Sequence, residues 1–356
     1  MLKIRRRPAL NDENLLRVKM TPQMLDYDRF ASRSIAQHLP YLMGFNPADF
    51  ESRAINTDYL GFRFSHDSEG NRISVGTLDK LSSKAPVNLL VGGSPALGYG
   101  ATSDETSVVS RLAIKDPDNL PWLNLAGHCY NSVQELLLFI LHLHRIKNIK
   151  HIVIMGGFNT LVMARLPEFI RGGLPPFYFC GDYFNKFDEI VEENGGEPPI
   201  LNLPKWPAEI TAVPPIKETL DRSVQEMMHR LNTWRLLASS LGAKLTFILQ
   251  PLATWVREPC VEEKKLFDEL DAISKLGTWE KLYGDISSPE VAELYANSLS
   301  KGCAEKGISF GSLVADLRSR PSSDWLFVDR AHFTDHGNDV IASAIQKYIQ
   351  SSCGGA

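Results

Sequence analysis

The sequence predicts an α/β protein, a three-layer α/β/α sandwich built on a mainly parallel five-stranded sheet, with an N-terminal extension and insertions. Two features predict it. Short, mostly apolar runs that stop at glycine or other turn residues read as strands buried on both faces. Longer stretches between them carry apolar residues at helical spacing. Strands alternating with helices give a parallel sheet covered on both sides. No internal repeat competes with this reading.

Residues 1–85 read as an extension packed on the core, and 86–356 as the main domain. Thr21 to His38 offers short helices. Asn56 to Phe64 looks strand-bearing, and Ser68, Glu69, Gly70 and Asn71 follow as a turn. Val87 to Val91 is the first core strand, ended by Gly92 and Gly93, which let the chain turn sharply. Ser94 then stands at the carboxyl end of a strand, where open α/β sheets place ligands. A helix from about Asp104 to Ala113 makes the first crossover. Trp122 to Ser132 reads as a second strand, a turn at Gly127 and a helix start. Asn131 or Ser132 caps that helix, which turns Val133, Leu136, Leu137, Ile140 and Leu141 to the sheet. His151 to Met155 is the third strand, followed by Gly156, Gly157, Phe158 and Asn159.

From about 166 to 215 the chain is rich in glycine, proline and aromatics, among them Phe177, Tyr178, Phe179, Tyr183, Phe184, Phe187 and Trp206. This is too long for a plain connection and too aromatic for disorder. Such an insertion either shapes an acyl or acceptor pocket or adds a packing layer. Glu218 to Leu241 reads as an amphipathic helix that Gly242 ends, and Ala243 to Gln250 as the fourth strand. Val261 to Leu282 is charged and helical, a candidate lid. Ser288 and Pro289 start a helix to about Glu305. Ile308 to Leu317 gives the fifth strand and a short helix. Beyond the apolar run Trp325 to Val328 come Asp329, Arg330, Ala331 and His332. Thr334 caps a last helix whose Val340, Ile341, Ala344, Ile345, Tyr348 and Ile349 share a face.

Four of these segments run in the order Ser, Gly, Asn, His, each at a strand end or in a loop before a helix. In that order and context they resemble the SGNH (GDSL-like) hydrolase family over roughly residues 86 to 350. Gly92 to Ser94 looks like a Gly-Gly-Ser variant of Gly-Asp-Ser. Gly157 to Asn159 matches Gly-x-Asn, and Asp329 to His332 matches Asp-x-x-His. Asn124 matches the asparagine of the second block, whose oxyanion glycine then aligns with Cys129, while Gly127 lies two residues earlier. Thr160 stands where an aspartate often follows the third-block asparagine.

The resemblance implies a flavodoxin-like SGNH fold and a serine-dependent acyl ester hydrolase. It implies Ser94 as nucleophile, His332 as base and Asp329 as its orienting group. The backbone N–H of Ser94, that of Gly127 or Cys129, and the Asn159 amide would hold the oxyanion. The substrate would be a small acylated metabolite or sugar. Two other readings share these residues: an O-acyltransferase, and a catalytically silent binding protein.

No cofactor or metal is called for. His142, His144 and His151 cluster in sequence without a ligand motif around them. Cys129, Cys180, Cys260, Cys303 and Cys353 are odd in number and scattered, which suits reduced thiols. A net charge of −4 argues against a nucleic-acid binder. Arg5, Arg6 and Arg7 lead into Pro8 to Asn14, which is no secretory apolar core, and the longest apolar run, Leu136 to Leu141, is too short to span a bilayer. The expectation is a cytoplasmic protein with a solvated basic tail.

Overall fold

Five short strands form a single sheet, and their alternating residues feed two cores. The strands are β1 (Val87–Gly92), β2 (Trp122–Ala126), β3 (Ile149–Gly156), β4 (Lys244–Leu249) and β5 (Ser309–Ser312). The computed structural model describes residues 15–32, 34–80, 85–166, 180–197 and 213–351. The sheet order is β2-β1-β3-β4-β5 and every neighbouring pair is parallel. This is the doubly wound order, and the expected sandwich is present. Successive strand residues point to opposite faces. Leu89, Val91, Ile152, Ile154 and Phe247 accordingly join one apolar cluster, whereas Leu90, Val153, Met155 and Ile248 join the other.

Helices Ser132–His142, Ile216–Ser240 and Pro289–Lys306 cover the first face. Val108–Ile114, Val261–Ile273 and Asp335–Ser351 cover the second. Their starts follow local chemistry. Asn131 caps Ser132–His142 by accepting from Val133 and Gln134, and the Gln134 side chain reciprocates. Ser288 caps Pro289–Lys306 through the Val291 N–H. Thr334 accepts from the Gly337 N–H at the start of Asp335–Ser351. The strand order reverses at β1, so the crevice between the carboxyl ends of β1 and β3 is where such a sheet binds ligands. Ser94 follows one of these strands and Asn159 the other.

Several boundaries differ from the sequence reading, each for a physical reason. The first crossover helix starts at Val108 rather than near Asp104, because the Asp104 carboxylate is held by Arg63 and Asn56 and its carbonyl by the Ser107 and Ser110 hydroxyls. Within Thr21 to His38 there is one short helix, Met24–Phe30, and Pro22 separates it from Leu16–Met20 just before this span. Gln37–Leu39 beyond them pairs antiparallel with Met43–Phe45.

Asn56 to Phe64 is a loop with a single bridge, Thr57 to Arg63. The Asp58 carboxylate accepts from the N–H groups of Leu60 and Phe62 in the turn and of Gly76 beyond it. The paired strands come later, at Ser65–His66 and Arg72–Ile73. Val261 to Leu282 divides into Val261–Ile273 and Trp279–Tyr283.

Of the 166–215 insertion, the helix Cys180–Glu193 is described. Phe177, Tyr178, Phe179, Trp206 and the pocket they were expected to shape lie outside the described residues, as do Arg5, Arg6, Arg7 and Cys353. No helix among the described residues is long and apolar enough to cross a membrane.

Candidate active site

Ser94 owes its position to the backbone before it. A Cβ on Gly92 would lie 2.2 Å from the Met155 carbonyl oxygen, so only glycine lets β1 turn this close to β3. A Cβ on Gly93 would meet the Asn159 amide nitrogen at 2.8 Å and the Tyr130 carbonyl oxygen at 3.1 Å. Glycine at position 93 thus lets those two groups close over the turn. Ser94 opens the short helix Ser94–Leu97 and is 8% exposed. Asn124, fully buried, holds that helix by donating to the Ala96 carbonyl at 3.1 Å.

His332 comes from a loop fastened at its base. Phe327 and Phe333 form a β-bridge, the Val328 N–H donates to the His332 carbonyl at 2.9 Å, and the Thr334 N–H donates to that of Leu326 at 2.9 Å. The buried Glu263 carboxylate accepts from the N–H groups of Leu326 and Phe327. Asp329 Oδ1 accepts from the N–H groups of Ala331 at 2.8 Å and His332 at 2.9 Å, so the loop's own backbone aims the carboxylate. His332 Nδ1 lies 2.8 Å from Asp329 Oδ2, and Nε2 lies 2.7 Å from Ser94 Oγ.

Burial works to raise the Asp329 pKa, but His332 and the hydrogen bonds from its ring and from two backbone N–H groups outweigh it, and the net direction is down. An ionised carboxylate only accepts. That assigns the imidazole proton to Nδ1 and leaves Nε2 to accept from the serine hydroxyl.

The groups expected to hold an oxyanion surround this relay. Asn159 lies one residue into the helix Phe158–Ala164, and its Nδ2 donates to the Tyr130 carbonyl at 2.8 Å. The two backbone alternatives, Gly127 and Cys129, part here. Gly127 N–H is spent on the Gly92 carbonyl at 3.1 Å. The N–H groups of His128 and Tyr130 are also taken, by Asn46 Oδ1 and the Gly127 carbonyl. Neither Cys129 N–H nor Ser94 N–H donates to a described residue. Cys129 has φ +59°, the left-handed region that favours glycine. Its thiol is pushed by burial up to about 12 and stays protonated.

Thr160 uses its hydroxyl to accept from the Ser132 N–H at 3.2 Å. His142 packs edge-on to Phe62 and His151 bonds Thr246 at 2.9 Å, while His144 is exposed. Among the described residues no group of three or more His, Cys, Asp and Glu is placed to hold a metal ion.

Several neighbours of the site gave no signal in the sequence. The Tyr99 ring leans on His332 with centroids 4.5 Å apart and stacks on His128 at 5.4 Å. His128 is pushed by burial, and then by His332, down to about 4. Phe158, beside Asn159, stacks on Trp279 at 6.0 Å and meets Tyr283 edge-on at 5.7 Å. Arg330, within the His332 loop, lies over Trp279 and ion-pairs with Asp271 at 2.6 Å. The segment expected as a lid is tied to the His332 loop through Asp271 and Glu263.

No family model matches the sequence, and no curated protein matches it. Among solved structures, the chain is similar to the acetyl xylan esterase AlAXEase, at 10% identity over 74% of this chain and 99% of that one, with a TM-score of 0.41. It is also similar to a GDSL-like lipase from Bacteroides thetaiotaomicron VPI-5482, at 12% identity over 78% and 95% with a TM-score of 0.42. The acetylxylan esterase Axe2 from Geobacillus stearothermophilus gives 11% identity over 76% and 96%, with a TM-score of 0.40. Similarity this distant carries no weight for activity, which has to come from the residues of the site itself.

Proposed function

We propose that the chain is a serine-dependent acyl ester hydrolase acting on a small acylated metabolite or sugar. The observation that carries this reading is the continuous relay from Ser94 Oγ through the His332 ring to Asp329, at 2.7 and 2.8 Å. A serine hydroxyl is a weak nucleophile until a base takes its proton, and the base works best when a third group fixes its orientation.

In the forward step Ser94 Oγ bonds to the ester carbonyl carbon as its proton passes to His332 Nε2. Asp329 stabilises the imidazolium that forms. The N–H groups of Ser94 and Cys129 and the Asn159 amide donate to the developing oxyanion. Collapse breaks the bond to the alcohol, which leaves with the proton from His332. Water then repeats the sequence on the acyl-enzyme and releases the acid. No metal or cofactor is required by any step. The aromatic wall of Phe158, Trp279 and Tyr283 gives the bound ester an apolar flank beside Asn159.

The test is hydrolysis of p-nitrophenyl acetate and longer esters by the wild type and by Ser94→Ala. The reading predicts turnover by the wild type and a loss on the order of 10³-fold or more in the variant. Equal rates in both remove Ser94 from the chemistry. Acylation of Ser94 without release to water, reversed by adding a sugar alcohol, would instead identify an O-acyltransferase.

A further inference from the structure

We infer that Asn46, in the N-terminal extension, is a positioning residue that holds the oxyanion loop Ala126–Tyr130 in its working shape. The inference rests on the hydrolase reading and adds to it a group more than 40 residues before Ser94 in the chain. Asn46 is 2% exposed. Its Nδ2 donates to the carbonyls of Ala126 at 3.0 Å and Gly61 at 3.1 Å, and its Oδ1 accepts from the His128 N–H at 3.1 Å. The amide has only one satisfactory orientation, because two of its neighbours are acceptors and the third is a donor.

The consequence concerns Cys129. The loop that carries it is bonded on every side. Asn46 takes Ala126 and His128, Gly92 takes Gly127, and Asn159 takes the Tyr130 carbonyl. The Tyr130 hydroxyl reaches back to the Gly44 carbonyl at 2.9 Å, two residues from Asn46. With the peptide between Gly127 and His128 fixed by Asn46, the next one bears the Cys129 N–H, which donates to no described residue. Cys129 sits at φ +59°, a conformation that a non-glycine residue keeps only when its surroundings impose it. Asn46 supplies that imposition from outside the sheet. The donor is worth having in place before the oxyanion forms, because preorganised donors cost no reorganisation during reaction.

The experiment compares Asn46→Ala with wild type on p-nitrophenyl acetate, together with thermal melting and binding of a trifluoromethyl ketone that forms a tetrahedral adduct with Ser94. The expected result is a kcat lower by on the order of 10²-fold in a chain still folded at the assay temperature, with KM changed by less than about threefold. Ketone affinity falls in parallel with kcat. Amide hydrogen exchange at His128 speeds up without a global change, a readout independent of turnover. If Asn46→Ala does not fold, Asn46→Ser leaves room for a water at the two carbonyls and gives the same split.

A folded variant with wild-type kcat and wild-type ketone affinity overturns the inference while leaving the hydrolase reading intact. So does a loss that tracks the folded fraction alone. A wild type that neither turns over esters nor accepts the ketone sinks the hydrolase reading itself, and this inference falls with it.

Discussion

Cys129 carries a side chain where the backbone asks for none. At φ +59° glycine is free of strain, an unbranched residue is tolerated, and a β-branched one is an outlier. Cys129→Gly is therefore expected to keep its activity within a few-fold. Cys129→Val is expected to lose on the order of 10²-fold in kcat, the cost of one oxyanion donor, as measured by ester hydrolysis on folded protein. Much at this scale was legible beforehand. Ser94 follows Gly93, Asn159 comes two residues after Gly157 and His332 three after Asp329, and the folded chain brings these short patterns together. The choice between Gly127 and Cys129 was not legible, because it depends on which N–H the Gly92 carbonyl occupies. That is a contact between strand ends and leaves no trace in spacing. Tyr99 and His128 were equally silent, since stacking on an imidazole has no local pattern.

All five strands lie in the segments expected of them: β1, β2 and β3 are apolar runs that end at or just before a glycine, β4 ends before Gln250 and Pro251, and β5 is the short Ser309–Ser312. The N-terminal extension was harder to read, because polar side chains from distant positions replace regular ladders there. Arg63 shows this best. It is fully buried, pairs with Asp104 at 3.0 Å, and donates to the Leu97 and Gly98 carbonyls at 3.0 and 2.8 Å. It thereby fastens the end of the short helix that Ser94 begins. Tyr27 donates to the same Gly98 carbonyl at 3.0 Å.

Removing one partner of a buried ion pair strands the other. Arg63→Met is expected to cost about 3–5 kcal/mol in urea unfolding and to lower ester turnover even where the chain remains folded. An unchanged unfolding midpoint would contradict this account of the extension. The wall beyond the site is held in the same manner, by Glu263 and Asp271 rather than by apolar packing alone.

For the whole molecule, buried titratable groups set how stability depends on pH. His151 lies within β3, 4% exposed, and is pushed first by burial and then by Lys244 and Lys150 down to about 4. Unfolded chain takes up that proton near the ordinary histidine value of about 6.5, and folded chain only near 4. Stability is therefore full above about 6.5 and is lost as pH falls through this window. Between pH 7 and 5 the loss amounts to on the order of 2 kcal/mol, and urea unfolding of His151→Gln should show a flatter acid limb. Asp329, held low, adds to the acid loss below the usual carboxylate range.

Glu135 works the other way. Burial pushes it up to about 8, so its contribution is full below the ordinary value of 4.5 and is lost as pH rises towards 8. Glu135→Gln is expected to remove that alkaline decline. None of this was visible in the sequence, where these residues are one polar letter each in a buried strand or helix.

The central claim is that Ser94 is a nucleophile activated by His332. Covalent labelling with a serine-reactive fluorophosphonate, read by mass spectrometry, tests it without any knowledge of the natural ester. The account predicts a single adduct on Ser94, absent from Ser94→Ala and slowed on the order of 10³-fold or more in His332→Ala. Equal labelling of wild type and Ser94→Ala, or no adduct on wild type under conditions that label a known serine esterase, would contradict it.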